Sequence, residues 1–166
     1  MFVPYKIYKM LIKIKDYFKQ LQLLHGALTF GVLIILIVFQ YVLPKQEHLV
    51  NQQAIYFGIG VAVVCVIVSR LVFINITTKN RVKERMKEKL DAYRNAFVIQ
   101  IGILEGGAIF NAIILYLFGS EINFAMSLAL VFLMITRRPT KKDVYRTMYP
   151  DNVQNTALDK DDKIII

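Results

Sequence analysis

Residues 96–118 read AFVIQIGILEGGAIFNAIILYLF and contain a single charged side chain, Glu105. A helix needs about 20 apolar residues to cross the hydrocarbon core of a bilayer, and this block has that length. Inside hydrocarbon the backbone must satisfy its own hydrogen bonds, so a lone apolar block of this size has to be helical. Residues 96–118 therefore predict a transmembrane helix.

Three further apolar blocks have the same character. They occupy about residues 21–43, 54–74 and 120–136, and the last is long enough only if it begins in the preceding Gly-Ser turn. Hydrophobic residues make up 56% of the 166-residue chain. Their segregation into long blocks excludes an ordinary soluble domain. The four blocks predict an all-α polytopic membrane protein with four transmembrane helices arranged as two helical hairpins.

Lys and Arg residues are concentrated in the segments that would lie on one side of the membrane. Five lysines lie in residues 1–20, seven basic residues in 75–95 and seven in 137–166. The loop at 44–53 has one basic residue and the turn at 119–121 has none. Cytoplasmic loops carry the excess of Lys and Arg. We therefore expect a multi-pass protein of the cytoplasmic (inner) membrane with both termini in the cytoplasm.

The same charge distribution bears on binding partners. The chain has 21 Lys and Arg against 12 Asp and Glu, a net charge of +9. Such a balance suits nucleic acid or anionic lipid, but basic residues that border apolar blocks favour anionic lipid headgroups at the cytoplasmic face. We expect no nucleic-acid partner. Other membrane subunits or self-association stay open.

Three segments lie outside the spans. Residues 1–20 are basic and amphipathic, which is typical of a helix on the membrane surface; a plain extension of the first span is the alternative. Residues 77–95 carry opposite charges three or four positions apart, which predicts a cytoplasmic helical extension of the third span. In the tail, 139–166, Thr140 and Asp143 resemble a capping box that opens a short helix, and disorder is expected after about residue 150.

A short similarity links the two halves of the chain. Residues 24–30 read LHGALTF and residues 104–110 read LEGGAIF, with three of seven positions identical. Two hairpins of the same orientation would make this a parallel tandem repeat. Apolar helices also match by chance, and that explanation stays open.

Glu105 is the most informative polar residue of the sequence. A charged side chain near the middle of a span costs roughly 2.5–3.5 kcal/mol or more, so Glu105 should face the bundle and find a partner. His25 and Arg70 are the candidate partners. A proton or cation site and a structural hydrogen bond are the two interpretations, and we expect the structural one. Asn111 is expected to join helices by hydrogen bonding.

Three glycines surround Glu105. Gly102 and Gly106 form a G-x-x-x-G motif, and Gly107 follows. Small residues let a neighbouring helix approach closely. The glycines are therefore predicted to lie at a helix contact inside the bundle, with Glu105 beside it.

Familiar enzyme motifs are missing from the sequence. It contains no G-x-S-x-G, no H-E-x-x-H and no phosphate-binding glycine loop. Two histidines and one cysteine, Cys65, predict neither a metal site nor a cofactor. We expect a non-enzymatic structural or accessory subunit. The alternative is a small transporter or a proton- or cation-conducting protein that uses Glu105.

The stretch Glu105-Gly106-Gly107-Ala108-Ile109-Phe110, with Arg138-Pro139-Thr140 later in the chain, resembles a family of small four-span membrane proteins of Bacteroidota. The resemblance covers about residues 16–148 and implies no known activity. The chain is also weakly similar to the c-type proteolipids of rotary ATP synthases. It departs from them because Glu105 is on the first helix of its hairpin and because the hairpin turns are predicted outside the cytoplasm.

Overall fold

The structure is a computed structural model that describes residues 12–43, 51–148 and 163–164. The chain is all-α except for one short strand pairing. Its helices are α1 (Ile14–Ile37, continued by a π-helical turn, Val38–Val42), α2 (Gln52–Asn80), α3 (Met86–Phe118), α4 (Glu121–Thr136) and α5 (Lys141–Met148). The two-residue strands β1 (Ile12–Lys13) and β2 (Lys163–Ile164) pair antiparallel.

Two of the predicted flanking segments fall largely outside the described residues. Of the basic arm, residues 14–20 form the start of α1 and residues 1–11 are not described. The disorder expected after residue 150 lies almost wholly in the part of the tail that is not described. The capping box of the tail is present, since the Thr140 hydroxyl donates to the Asp143 carboxylate and accepts from the Asp143 amide. It opens α5, as predicted.

The segment predicted as one helical extension, 77–95, is instead divided between two helices. Its first residues complete α2, which ends at Asn80, and α3 begins at Met86. The stretch between them is a turn. Charge pairs at helical spacing stabilise one continuous helix and two separate helices equally, so they do not show where a helix ends. A continuous helix cannot reverse direction, however, and α2 and α3 pack antiparallel, so the chain must break between them.

Within the described residues, three helices are long and apolar enough to cross a membrane, or four if the bent pair of α4 and α5 counts as one span. The three are α1 with its π-helical turn, α2 and α3. At 16 residues α4 is about 24 Å long, which is short of the hydrocarbon thickness. The pair α4 and α5 passes the same test together, but the two are bent by 82° at their junction.

The junction between α3 and α4 is tight and well capped. Gly119 closes α3 in the left-handed region, at φ 63°, and its amide donates to Leu115 O at 2.8 Å. This conformation favours glycine. One residue later, the Ser120 hydroxyl accepts a hydrogen bond from the backbone N–H of Asn123 and caps the start of α4. The turn therefore sets α3 and α4 side by side.

Helix α3 forms the centre of the bundle together with α4. Both α1 and α2 pack on α3 and on α4, whereas α1 and α2 barely meet in the described part of the chain. Two ring contacts for each pair show the directions. His25 meets Phe97 and Phe39 meets Tyr116, so α1 with its π-helical turn runs parallel to α3. Phe73 meets Tyr93 and Phe57 meets Phe110, so α2 runs antiparallel to α3. The first predicted hairpin, α1 with α2, is therefore not a packed pair, because α3 and α4 lie between its helices.

The outward faces of the long helices are apolar. Along α2, Tyr56, Phe57 and Leu71 are 68%, 64% and 60% exposed. Soluble monomers rarely present continuous apolar surface of this extent. The helical architecture and these faces are compatible with a membrane protein.

Candidate functional site

Glu105 lies at the edge of the bundle rather than inside it. Its side chain is half-buried, and it forms no hydrogen bond or ion pair with any described residue. Neither predicted partner reaches it. The prediction of a carboxyl pointing into the bundle is therefore wrong. On α3 the buried positions next to it are Leu104 and Ala108, and a helix turns by about 100° per residue, which places Glu105 on the rim.

The glycines around Glu105 separate into two groups. Gly102 and Gly106 are exposed, and a side chain added at either would meet nothing within 4 Å. Their predicted contact inside the bundle is absent, because they face away from the core. Gly107 does lie at a helix contact, where an added Cβ would come within 3.0 Å of Cys65 on α2. Only Gly107 therefore allows the close approach that the motif predicted.

His25 is buried and has a different partner from the one predicted. Its Nε2 donates to Met134 O at 2.8 Å, and its ring packs against Phe97 with 5.8 Å between centroids. The carbonyl of Met134 is close to the end of α4. His25 therefore joins α1 to α4 at the basic end of the bundle, and it is not part of a site with Glu105.

Asn111 does join helices, as predicted, and it does so at the centre of the bundle. Its side chain is fully buried, and its Nδ2 donates to Gly58 O at 3.1 Å and to Gly107 O at 3.0 Å. Only the NH2 end of the amide can donate to two carbonyl oxygens, so these bonds fix the orientation of the Asn111 amide. Its Oδ1 then accepts from Asn123 Nδ2 at 2.8 Å. One amide therefore ties α3 to both α2 and α4.

Asn123 and Ser127 belong to this cluster and were not predicted as site residues. Both side chains are fully buried, and the Ser127 hydroxyl donates to Ala108 O at 2.7 Å. Asn123 Oδ1 is buried without a hydrogen-bond partner among the described residues. Because Asn123 and Ser127 lie on a different helix from Asn111, the sequence does not show that the three side chains meet. The spacing of Asn123 and Ser127, four positions apart on α4, is the one available signal that they share a face.

Gly58 makes the approach of α2 to this cluster possible. A Cβ built at Gly58 would overlap Asn123 Nδ2 and would lie 2.8 Å from Ile114 Cδ1 and 2.9 Å from Asn111 Oδ1. No side chain fits there without displacing the amides. We call Gly58, Asn111, Asn123 and Ser127 the asparagine cluster.

Arg70, the second predicted partner of Glu105, lines a pocket at the basic end of the bundle. The pocket holds about 170 Å³ and lies where α2, α3, α4 and α5 come together. Arg70, Arg137 and Arg138 line it, together with Gln100 and the aromatic rings of Phe73, Tyr93 and Phe97. We call it the arginine pocket. Sequence reasoning placed these residues on separate segments and did not bring them together.

Positive charge in the arginine pocket is not neutralised by the described part of the chain. None of the three arginines forms an ion pair with a described carboxylate, although Asp143 also lines the pocket. Partial burial, and then the nearby charge of Arg70, lower the pKa of Arg137. Like charges held this close favour a bound anion.

Among the described residues, no group of three or more His, Cys, Asp and Glu side chains could hold a metal ion. The chain matches no protein-family model, no curated protein sequence and no solved structure.

Proposed function

We propose that the chain is a four-span protein of the cytoplasmic membrane that acts as a non-enzymatic structural or accessory subunit. The observation that carries this proposal is the pairing of buried polar side chains with the backbone of other helices. His25, Asn111 and Ser127 all serve contacts between helices in this way. Side chains committed to packing are not available for catalysis.

The membrane placement of the proposal rests on the distribution of charge over the bundle. The start of α1, the turn between α2 and α3, and the end of α4 with α5 lie at one end and carry the Lys and Arg residues. Under the positive-inside rule this end belongs in the cytoplasm. Helix α4 would then be the fourth span and α5 would lie at the cytoplasmic surface, which the 82° bend between them favours.

Cysteine labelling tests the orientation. In a Cys65→Ala background, we expect a membrane-impermeant maleimide to label His48→Cys from outside intact cells and to spare Lys87→Cys and Asn155→Cys. Permeabilised cells, in which all three positions should react, provide the control for cysteine reactivity. External labelling of Lys87→Cys would overturn the proposed topology.

The accessory role has its own support in the outward glycine face of α3. Gly102 and Gly106 are exposed with open space above them, and Glu105 borders that face without a partner in the described chain. A G-x-x-x-G face is suited to close contact with another transmembrane helix. Such a contact would also cover the carboxyl of Glu105. We therefore propose that another membrane subunit or a second copy packs here.

A pair of glycine substitutions tests this contact. Purified in mild detergent, the wild-type chain should be associated with another subunit or a second copy, and Gly106→Ile should lose that association because the bulky side chain blocks close approach. Gly60→Ile is the matched control, since Gly60 on α2 is also exposed with nothing within 4 Å. Equal loss in both variants, or a wild-type chain that is monomeric and alone, would contradict the accessory role.

Transport through Glu105 is the second candidate function, favoured by the carboxyl having no partner within the described chain. An ion site needs a group that can exchange its ligand, and Glu105 is not tied to a neighbour. Against it, none of the buried polar groups of the asparagine cluster is arranged around Glu105. The structural role remains the proposal for the chain as a whole.

Substitutions of Glu105 separate the two candidates. Both Glu105→Gln and Glu105→Leu should change the free energy of unfolding in detergent by less than about 0.5 kcal/mol, because no hydrogen-bond partner in the described chain is stranded. Proton flux into proteoliposomes should be the same for wild type, for Glu105→Gln and for empty vesicles. A wild-type flux that Glu105→Gln abolishes would replace the structural role with transport. A large loss of stability in Glu105→Leu would instead reveal a partner inside the bundle.

Membership in the family of small four-span proteins of Bacteroidota is likewise our proposal. It rests on the residues Glu105–Phe110 and Arg138–Thr140.

A further inference from the structure

We propose that the arginine pocket binds the phosphate group of an anionic phospholipid. The inference assigns a site to the anionic lipid headgroups that the charge distribution predicts, and it rests on the membrane placement in the proposed function, with this end of the bundle at the headgroup layer. It does not depend on which side of the membrane that end faces.

Charge is the first reason. Three arginines and one aspartate line the pocket, so its formal charge is three minus one, or +2. The Asp143 carboxylate accepts a hydrogen bond from the Thr140 hydroxyl, which keeps it engaged at the start of α5. The pocket therefore holds a positive excess that the described chain leaves unbalanced.

Open hydrogen-bond donors are the second reason. Gln100 is 3% exposed, lines the pocket and makes no hydrogen bond to a described residue. An anion in the pocket would give this amide a hydrogen-bond partner. The Thr136 hydroxyl, in contrast, already donates to Leu133 O. Among the lining residues, donors remain on the guanidinium groups, on the Gln100 amide and on the hydroxyls of Tyr93 and Thr147, although Arg138 also donates to Gln22 Oε1.

The kind of anion follows from this donor set and from the size of the pocket. Guanidinium groups bind phosphate through two parallel hydrogen bonds, which makes arginine the favoured residue for phosphate recognition. Pockets for drug-sized ligands measure about 300–1,000 Å³, and this one holds about 170 Å³. It is large enough for a single phosphate group and its ester oxygens but too small for a nucleotide.

The surroundings indicate that the phosphate belongs to a lipid. Phe73 and Phe97 form apolar walls of the pocket, and Leu71, which follows Arg70 in the chain, belongs to the exposed apolar face of α2. A phospholipid would place its phosphate among the arginines and its acyl chains along that face. Basic pockets between transmembrane helices at the headgroup level commonly hold anionic lipids.

Native mass spectrometry of the full chain in detergent tests the proposal. Phosphatidylglycerol should fill one site at lower concentration than phosphatidylcholine, whose choline cation is repelled by the arginines. The double variant Arg70→Gln/Arg137→Gln should weaken phosphatidylglycerol binding about tenfold or more. The matched control Arg85→Gln/Arg94→Gln removes the same charge from exposed positions outside the pocket and should stay within about twofold.

A neutral variant and a soluble anion complete the test. Gln100→Leu keeps the charge and should still weaken phosphatidylglycerol binding several-fold; unchanged binding would assign the effect to general surface charge and overturn the pocket. Inorganic phosphate at millimolar concentration should not displace the lipid. If it binds as well as phosphatidylglycerol does, the site takes free phosphate and the lipid assignment is wrong. Lipid binding in detergent is independent of the labelling and glycine experiments, so its failure is distinguishable from failure of the proposed function.

Discussion

Gly58→Ala should lower the free energy of unfolding by about 2 kcal/mol or more, the largest effect of any single methyl group in the described chain. The new Cβ would overlap Asn123 Nδ2 and press on Ile114 and on Asn111 Oδ1. Because these groups are buried and joined by hydrogen bonds, they cannot move away without breaking the link between α3 and α4. Titration with a denaturing detergent in mixed micelles, followed by circular dichroism, measures the change.

Gly60→Ala is the control for the intrinsic effect of alanine in a helix. It lies on the same helix, two positions later, and an added Cβ meets nothing within 4 Å. Alanine is the better helix former by about 1 kcal/mol, so Gly60→Ala should be neutral or stabilising. Equal effects at the two positions would mean that α2 does not approach the asparagine cluster as closely as the structure has it.

Asn111→Leu should lower the free energy of unfolding by about 2–3 kcal/mol, although the two side chains are similar in size. The substitution removes the second hydrogen bond of the Gly58 and Gly107 carbonyls, which keep their helical N–H partners, and it leaves Asn123 Nδ2 without an acceptor in the bundle core. A buried polar group that loses its partner costs about 1–3 kcal/mol. Single interhelical hydrogen bonds in membranes contribute less, about 0.6 kcal/mol on average, so the effect depends on all three being lost together.

A double-mutant cycle checks that reason. Asn123→Leu alone should also be destabilising, and the double variant should cost less than the sum of the two, because the bond between the amides can be lost only once. Asn75→Leu is the control, since Asn75 is exposed on α2 outside the cluster. Strictly additive effects of Asn111→Leu and Asn123→Leu would contradict the amide pair.

Features that depend on a short stretch of chain could be read from the sequence. The apolar blocks predicted helices because length and hydropathy alone decide whether a segment can cross a bilayer. The Thr140–Asp143 pair predicted the start of α5, since a cap involves only neighbouring residues. The role of Asn111 was also predicted, because a buried amide needs a partner wherever it lies.

The face that each helix turns to its neighbours was decided only by the tertiary structure. Helix α3 is apolar almost all round, so its periodicity did not show that Gly107 faces the core while Gly102 and Gly106 face outward. A transmembrane helix has no strong apolar side to mark its contact surface, because lipid and the protein interior are equally apolar. The same orientation of α3 about its axis places Glu105 on the rim of the bundle.

Contacts between distant segments were likewise decided by packing. Gly58, Asn111 and Asn123 come from three helices, and Arg70, Gln100 and Arg137 also come from three. Each set forms because α3 and α4 lie between α1 and α2, an order that hydropathy and loop lengths do not specify. The sequence by itself determined which segments are apolar and helical, because length and hydropathy act within one segment. The packing order of those helices decided which polar side chains meet, because only close approach of the backbones brings them within hydrogen-bonding distance.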